Sequence, residues 1–342
     1  MKKTLLALAV PALLAASAAN AANIYKTDSK SLDMYGRVYM TVDADNNSNT
    51  TMIGKPRFGF KGTSKVNDDM SAFFKAEWEV SGQTGGDTDP DDHFHSRYVY
   101  LGFDFNEAGS VTLGQFYPAN YTHLLVLTDI FNEFGMNSDN GLYGVDRESS
   151  QVSYANTFGP VSMELNYQFN DQNNKATIGG TDTSGAYSAG VSVDAGAGLN
   201  VHAVYSHQNL NGVDTTAYSK AQAGNKNDWG LGLDWTWNDL YLAGFYDQAE
   251  QGNITLKTYD VVAAYTLDAT RLYTGYSMQH DSSVDGYASR AFLAGVEYHF
   301  NPAAFGWFEW QNSEGQNTHN QTAAYSGDVA ENAFSVGMEY DF

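Results

Sequence analysis

The sequence predicts an all-β protein: a sixteen-stranded antiparallel β-barrel that crosses a membrane with its strands. Three observations support this fold class. Apolar and polar residues alternate in many segments, the connections between these segments alternate between short and long, and the composition favours strands. The 342 residues include 23 Tyr, 19 Phe and 33 Gly but only 6 Pro, and aromatic residues are enriched in strands whereas Pro is depleted there.

The carboxy-terminal segment shows the alternation most clearly. Its apolar positions are Phe334, Val336, Met338, Tyr340 and Phe342, separated by small or polar residues. The same pattern recurs in 161–169, 199–206 and 229–237. A period of two residues indicates strands with one apolar face.

Extended along the chain, this pattern predicts sixteen strands. They lie near 32–42, 53–63, 70–81, 94–105, 109–116, 149–157, 160–170, 184–194, 198–209, 227–237, 238–249, 256–267, 269–281, 288–299, 303–314 and 332–342.

The connections alternate in length. The short ones are 106–108, 158–159, 195–197, 238–239 and 268–269. The long ones are 43–52, 82–93, 117–148, 171–183, 210–226 and 315–331. Short turns at one end, long loops at the other and strands of about ten residues are typical of an outer-membrane barrel.

A secreted β-sandwich is the soluble alternative. Sixteen strands would need a sandwich much larger than usual. Aromatic pairs also gather at strand ends, as in the interfacial girdles of lipid-facing barrels. These pairs are Tyr167 with Phe169, Trp235 with Trp237, Tyr298 with Phe300, and Tyr340 with Phe342.

A closed barrel of this size implies a passage for water. In hydrocarbon every backbone polar group must be paired within the protein, so the sheet must close and its polar face must turn inward. Eight strands fill their own interior, but sixteen leave an aqueous channel. The strand count therefore predicts a pore.

Charge and cysteine content exclude other classes. There are 18 Lys plus Arg against 40 Asp plus Glu, a net charge of -22, and no Cys. Nucleic acid as a partner is unfavourable because it requires a basic surface. Disulfide scaffolds and thiolate metal sites are excluded.

The amino terminus predicts a cleaved export signal at 1–21, followed by a single barrel domain at 22–342. Lys2 and Lys3 precede a short apolar stretch, and Ala19-Asn20-Ala21 fits the small-x-small cleavage pattern. The apolar stretch is too short for the alternative, a membrane anchor.

The connection 117–148 stands out because its 32 residues contain no convincing strand. Long unstructured loops in compact folds are usually functional or disordered, and this one is too apolar for a solvated loop. We therefore expect it to fold into the barrel interior. Its Asp129 and Glu133 are four residues apart, so one helical turn would place them on the same face.

Four arginines in the first half of the chain are candidates for the channel wall. Arg37 and Arg57 lie on the polar parity of their strands, Arg97 lies on a strand that is apolar on both parities, and Arg147 lies where the long loop returns. The hypothesis is that these arginines face the loop carboxylates across a narrow passage, since rings of charge govern ion selectivity. The alternative is that each is a solvated or ordinary ion-paired residue.

Several motifs together carry a family resemblance. They are Ala22-Asn23-Ile24-Tyr25-Lys26, Leu32-Asp33-Met34-Tyr35-Gly36-Arg37, Arg57-Phe58-Gly59-Phe60-Lys61-Gly62, Gly109-Ser110-Val111-Thr112-Leu113-Gly114 and Thr128-Asp129-Ile130-Phe131-Asn132-Glu133-Phe134-Gly135. In these the chain resembles the general diffusion porins of Gram-negative outer membranes, the trimeric sixteen-stranded kind.

The resemblance implies a homotrimeric outer-membrane channel that passively admits small hydrophilic solutes and ions, with no cofactor, metal or enzymatic activity. Asp129 and Glu133 match the family's constriction-loop carboxylates. Its wall arginines match Arg57, Arg97 and Arg147, and a basic position that is often Lys matches Arg37. The final residue, Phe342, resembles the aromatic read by the barrel-assembly machinery. The chain departs from the pattern at Asn132, often Pro, and at Met136, where a second Gly is common.

Other functions stay open on the sequence. A sugar-specific porin would use aromatic side chains, which are plentiful. A barrel enzyme would need a site such as Asp91-Asp92-His93-Phe94-His95, where solvated loop residues are the alternative. An adhesive barrel could bridge lipopolysaccharide through divalent cations at Asp87 to Asp92. Net charge favours weak cation preference, although four arginines against two loop carboxylates oppose it locally.

The export signal is testable. Protein extracted from outer membranes should begin at Ala22, because cleavage after Ala21 removes the basic and apolar leader. Intact-mass measurement of the purified chain checks this. A mass that still includes residues 1–21 would contradict the prediction.

Overall fold

The structure, a computed structural model, describes ten parts of the chain. They are residues 21–46, 50–80, 94–136, 143–169, 175–176, 181–211, 224–252, 254–282, 289–315 and 331–342. The predicted leader lies outside the described residues except for Ala21, and the 82–93 loop, with Asp87 to Asp92, lies wholly outside them. Most of the predicted connections 171–183, 210–226 and 315–331 lie outside them too.

Sixteen antiparallel strands close into one barrel, which confirms the predicted fold class. They are β1 Lys30–Asp45, β2 in two segments (Thr50–Gly54 and Arg57–Lys65), β3 Ser71–Val80, β4 Phe94–Asp104, β5 Ser110–Phe116, β6 Glu148–Phe158, β7 Val161–Gln168, β8 Thr181–Gly196, β9 Leu199–Asn211, β10 Gly224–Trp237, β11 Leu240–Gln251, β12 Ile254–Leu267, β13 Thr270–Asp281, β14 Ser289–Asn301, β15 Ala304–Gly315 and β16 Glu331–Asp341. Each strand pairs with its neighbours in sequence, and a two-residue segment, Lys175–Ala176, extends the hairpin before β8.

The two ends of the chain close the barrel together. Strand β16 pairs with β1 from Ala333 opposite Asp45 to Asp341 opposite Arg37. Phe342 then exchanges two backbone hydrogen bonds with Gly36, of 2.9 and 3.0 Å. The segment Ala22–Lys26 forms an antiparallel pair with the first residues of β1, from Ala22 opposite Met34 to Lys26 opposite Ser31. Pairing around the whole circumference leaves no open edge among the described strands, as a lipid environment requires.

Strand β2 is interrupted, whereas the alternation predicted one continuous strand at 53–63. The break falls at Lys55 and Pro56, because proline has no N–H to donate to a ladder. The chain continues in the same direction beyond it: the Lys55 N–H donates to the Tyr39 carbonyl at 3.1 Å, and the Val80 N–H to the Pro56 carbonyl at 2.9 Å.

The two faces of the wall differ in polarity, as the alternation predicted. Leu231 and Leu233 on β10 are 54% and 52% exposed on the outer face. Asp228 and Asp234 on the same strand point inward and are buried. Apolar side chains outside and polar ones inside are the arrangement of a barrel in lipid.

The long connection contains a short helix, α1 (Ala119–His123), and a 3-10 turn, Leu125–Leu127. A second 3-10 turn, Asn106–Ala108, joins β4 and β5. No helix among the described residues is long and apolar enough to cross a bilayer. Leu124 and Leu127 are fully buried and lie against inward positions of β10.

The assignment of the two faces is testable by placing arginine on each. Leu231→Arg puts a cation on the outer face in the middle of β10, so the free energy of unfolding in lipid vesicles should fall by about 2–4 kcal/mol. Thr112→Arg is the control because Thr112 borders a lumenal cavity. Urea titration in vesicles measures both. Equal losses in the two variants would contradict the assignment.

Candidate functional site

A cavity of about 1100 Å³ lies inside the barrel, between the long loop and the wall formed by β1 to β7. Its lining combines charged and aromatic side chains. The charged and Tyr residues are Arg37, Lys55, Arg57, Lys75, Glu77, Glu79, Arg97, Tyr98, Tyr100, Tyr117, Tyr121, Asp129, Asp146, Arg147, Glu164 and Arg271. The four arginines singled out from the sequence therefore border one cavity, together with Asp129.

Three of these arginines are paired with wall carboxylates. The Arg57 Nε lies 2.5 Å from the Glu79 carboxylate. Arg97 contacts both Glu77 at 2.9 Å and Glu79 at 3.1 Å. The third, Arg37, lies 2.8 Å from Glu339 on the neighbouring strand β16. The expected balance of four arginines against two loop carboxylates is therefore wrong: the wall carries its own acids.

The sequence contained a signal for these acids. Lys75, Glu77 and Glu79 share one parity of β3, between the apolar Phe74, Ala76 and Trp78. Lys75 also pairs with Glu77, at 3.5 Å. The hypothesis of a charged wall rested on arginine alone and therefore omitted this face of β3.

Arg97 owes its position to a β-bulge. In the β3–β4 ladder Glu77 is opposite Tyr98 and Trp78 is opposite Ser96, so Arg97 is the extra residue. A bulge re-aims side chains, and here both Arg97 and Tyr98 border the cavity. This explains why no parity could be assigned to Arg97. The inward aromatic side chains of β4 contact the long loop, since Tyr98 packs on Tyr117 with ring centres 6.0 Å apart.

Arg147 is held by aromatic rings. Its guanidinium carbon lies 4.9 Å from the Tyr98 ring centre and 4.3 Å from that of Tyr117. Among the described residues it forms no ion pair with a carboxylate, and its Nε has no hydrogen-bond partner there. Its charge is therefore less compensated than that of Arg37, Arg57 and Arg97.

The two loop carboxylates have different environments. Asp129 borders the cavity and accepts a hydrogen bond of 2.5 Å from the Tyr121 hydroxyl. Glu133 is bound to the wall: it lies 3.0 Å from Lys55 Nζ and accepts a hydrogen bond from Tyr39. Residues 129–134 are not helical, so the proposed single helical face for Asp129 and Glu133 is wrong.

The loop tip is fixed by one buried wall carboxylate. The backbone N–H groups of Asn132, Glu133 and Phe134 all donate to Glu309, at 2.6, 3.0 and 3.0 Å. The Tyr273 hydroxyl donates to the same carboxylate at 2.8 Å. Nothing in the local sequence pairs Glu309 with a loop more than 170 residues away, so this contact could not be predicted from the sequence.

The side chain of Asn132 makes contacts at the position where the family that the chain resembles often has proline. The Asn132 side-chain amide donates to the Tyr273 hydroxyl at 3.1 Å and to the Glu297 carboxylate at 2.8 Å. Asn132 therefore attaches the loop to the wall through its side chain as well as its backbone.

A second attachment involves a chain of polar side chains from α1. Hydrogen bonds join His123 to Ser192 at 2.6 Å, Ser192 to His202 at 2.8 Å, and His202 to Asp234 at 2.6 Å. The sequence revealed no such Ser-His-Asp arrangement. Nucleophilic catalysis needs access for a substrate and donors for an oxyanion, but His202 is fully buried and Ser192 borders none of the described cavities.

The histidine cluster proposed as an enzyme or cation site lies partly outside the described residues, which exclude 91–93. His95 is described and lies 3.3 Å from Glu79. Within the described parts of the chain, no three His, Asp or Glu residues are arranged to hold a metal ion.

A closed sixteen-stranded barrel with an apolar exterior, a polar interior and a loop beside an internal cavity defines the class of transmembrane pore proteins. The sequence comparisons identify the family. The Gram-negative porin family matches residues 6–302, and the chain belongs to this family.

Curated relatives agree with this assignment. The chain is 31% identical to outer membrane protein Omp-EA of Erwinia amylovora over 273 residues, covering 74% of this chain and 71% of the relative. It is 29% identical to outer membrane porin PhoE of Escherichia coli, covering all of both chains.

Solved structures agree on the fold. Salmonella typhi OmpF, in a complex with daunomycin, matches with a TM-score of 0.80 at 21% identity, covering 94% of this chain and 100% of that one. An anion-selective porin from Comamonas acidovorans matches with a TM-score of 0.72 at 18% identity, covering 92% and 100%. This protein is accordingly a passive channel of the outer membrane.

The buried histidine predicts a pH dependence of loop packing. Burial, and secondarily His202, lowers the pKa of His123 from 6.5 to about 4. The unfolded or detached state therefore binds more protons between these values, and the packing of α1 should weaken as the pH falls from about 6.5 to about 4.

Hydrogen exchange of residues 119–127, corrected for intrinsic rates, measures this weakening. We expect His123→Gln to lose most of the dependence because glutamine does not titrate. The same loss of protection in both proteins on acidification would contradict the role of His123.

Proposed function

We propose that the cavity bordered by Asp129 and Arg147 is the constriction of the channel and selects solutes by size and charge. The observation that carries this proposal is the unequal pairing of its charges. Most of the wall cations have a carboxylate partner in the wall or loop, whereas Arg147 has aromatic partners and Asp129 has a tyrosine hydroxyl. Passing ions therefore experience Arg147 and Asp129 more strongly than the paired Arg37, Arg57, Arg97 and Glu133.

The remaining site residues have a positioning role in this proposal. Arg37, Arg57 and Arg97 are compensated by Glu339, Glu79 and Glu77. Glu133, compensated by Lys55, holds the loop against the wall. Charge pairs of this kind shape the passage and keep its walls polar while contributing little net field.

The pairing of the wall arginines with glutamates supports a weak preference of the channel for cations. The whole chain carries a net charge of -22, which concentrates cations around the channel mouths. Because the wall glutamates cancel most of the arginine charge, the constriction opposes this preference less than the arginine count suggests.

The assembly and its partners follow from the family. We propose that the chain is exported with a cleaved leader, is inserted by the barrel-assembly machinery through Phe342, and forms a homotrimer among outer-membrane lipid and lipopolysaccharide. A solved barrel of similar fold, OmpT of Vibrio cholerae, is described as a trimer form and matches at 20% identity with a TM-score of 0.69, which supports this proposal.

A sugar-specific channel is the second candidate, because tyrosines border the cavity. Tyr117 and Tyr121 stack with ring centres 3.5 Å apart, and Tyr98 packs edge-on against Tyr117. Liposome swelling with sugars and size-matched uncharged solutes separates the two. Equal rates for equal sizes indicate a general channel, whereas one sugar entering much faster indicates a specific one.

The constriction assignment predicts opposite changes for its two main charges. At about 4 Å in water a unit charge is worth about 1 kcal/mol, or roughly a fivefold change in a permeability ratio. Asp129→Asn should therefore shift selectivity toward anions and Arg147→Gln toward cations, by up to about that factor. Reversal potentials in planar bilayers under a salt gradient measure both shifts.

The matched controls are two double variants that each remove a whole ion pair, Lys55→Gln with Glu133→Gln and Arg57→Gln with Glu79→Gln, and so leave the net charge unchanged. We expect smaller shifts from them. Unchanged reversal potentials for Asp129→Asn and Arg147→Gln, in channels that conduct, would place selectivity elsewhere.

A further inference from the structure

The inner face of β10 carries glycine at the two positions where leucines of the loop approach most closely. A Cβ atom at Gly230 would lie 2.2 Å from Leu124 Cδ2. One at Gly232 would lie 2.7 Å from Leu127 Cδ1 and 2.9 Å from Leu124 Cδ1. Carbon atoms in contact are about 3.5–4.0 Å apart, so any larger side chain at either position overlaps the loop.

The strand itself does not require glycine there. Gly230 and Gly232 have no left-handed backbone angle, and β10 pairs with β9 and β11 in unbroken register through both positions. Glycine inside a strand weakens it and often marks a close approach of another backbone or group. The approaching group here is the long loop.

The two leucines are enclosed by the described residues around them. Leu124 and Leu127 are 0% and 1% exposed, and interiors packed at this density transmit a displacement rather than absorb it. The Leu127 carbonyl also accepts a hydrogen bond of 2.9 Å from Tyr241. The opposite side of this segment, with Val126, Asp129 and Ile130, borders the cavity. A loop that retreats from β10 therefore moves into the cavity.

We propose that Gly230 and Gly232 determine the size limit of the channel by allowing the loop to lie close to β10. They act from the wall opposite the charged residues, as positioning residues that touch no solute. The inference deepens the proposed function and rests on it for one statement, that the cavity beside the loop is the narrowest part of the channel.

The test is Gly232→Ala, measured by single-channel conductance and by liposome swelling with neutral sugars of increasing size. The loop must retreat by about 1 Å to restore ordinary contact, so conductance should fall, on the order of one fifth, and the largest permeant sugar should be excluded. Wild-type or higher conductance would overturn the proposal.

A double variant separates loop displacement from general damage. Leu127→Ala removes the nearer of the two leucine atoms that the new methyl group meets and opens space into which the other, Leu124 Cδ1, can turn. Gly232→Ala with Leu127→Ala should therefore recover most of the wild-type conductance. A reduction that persists in the double variant would overturn the proposal.

Gly306→Ala is the matched control on β15. The three atoms nearest to its added methyl group belong to Gly337, Met338 and Phe300, none of them in the long loop, and the nearest is the Gly337 carbonyl oxygen at 3.2 Å. It should conduct like the wild type, and an equal reduction would overturn the proposal.

Two further measures keep the outcome clear. If Gly232→Ala does not fold, Gly275→Ala replaces it, since its methyl group would lie 3.1 Å from Phe131 and Met136 of the same loop.

The glycine variants are judged by the size limit of the channel, not by its charge selectivity. Reduced conductance with unshifted reversal potentials for Asp129→Asn and Arg147→Gln would support the glycine role and contradict the charge assignment, whereas the reverse pattern would retain the charge assignment alone.

Discussion

The requirement that every backbone polar group be paired inside the bilayer determines the rest of this structure. This requirement forces the sheet to close. The closure is completed where the two ends of the chain meet, by the backbone hydrogen bonds between Phe342 and Gly36. A closed sheet of sixteen strands cannot fill its own interior with side chains. The interior is therefore lined with polar groups and contains space for a folded loop, which in the proposed function makes the opening narrower than the barrel.

The interior wall combines two kinds of surface. On one side, charged and aromatic side chains border the cavity, and most of the cations have acidic partners. On the other, small and apolar residues of β9 to β14 receive the apolar side of the loop. The loop can therefore be apolar toward one wall and polar toward the opening. Its amino-acid composition, unusual for a loop in solvent, follows from this position.

Much of the fold was predictable because strand alternation is local. The sixteen strands, their order and their inner and outer faces follow from a two-residue period, as β10 and β16 illustrate. The site was only partly predictable. Arg57 could be assigned to the inner face from parity, but Arg97 could not because a bulge shifts the register. The attachment of Asn132 to Glu309 depends on residues far apart in sequence, and no local pattern contains that information.

The capture of three consecutive loop N–H groups by Glu309 has a mechanical consequence. Hydrogen bonds to a charged group are each worth about 1.5–3 kcal/mol, and several of them at one point make the tip of the loop stiff. An aperture with a stiff rim fluctuates little in cross-section, so the ionic current through it carries little noise. In the proposed function, Glu309, which lies behind the loop and does not line the described cavity, therefore contributes to how steady the flow is rather than to what flows.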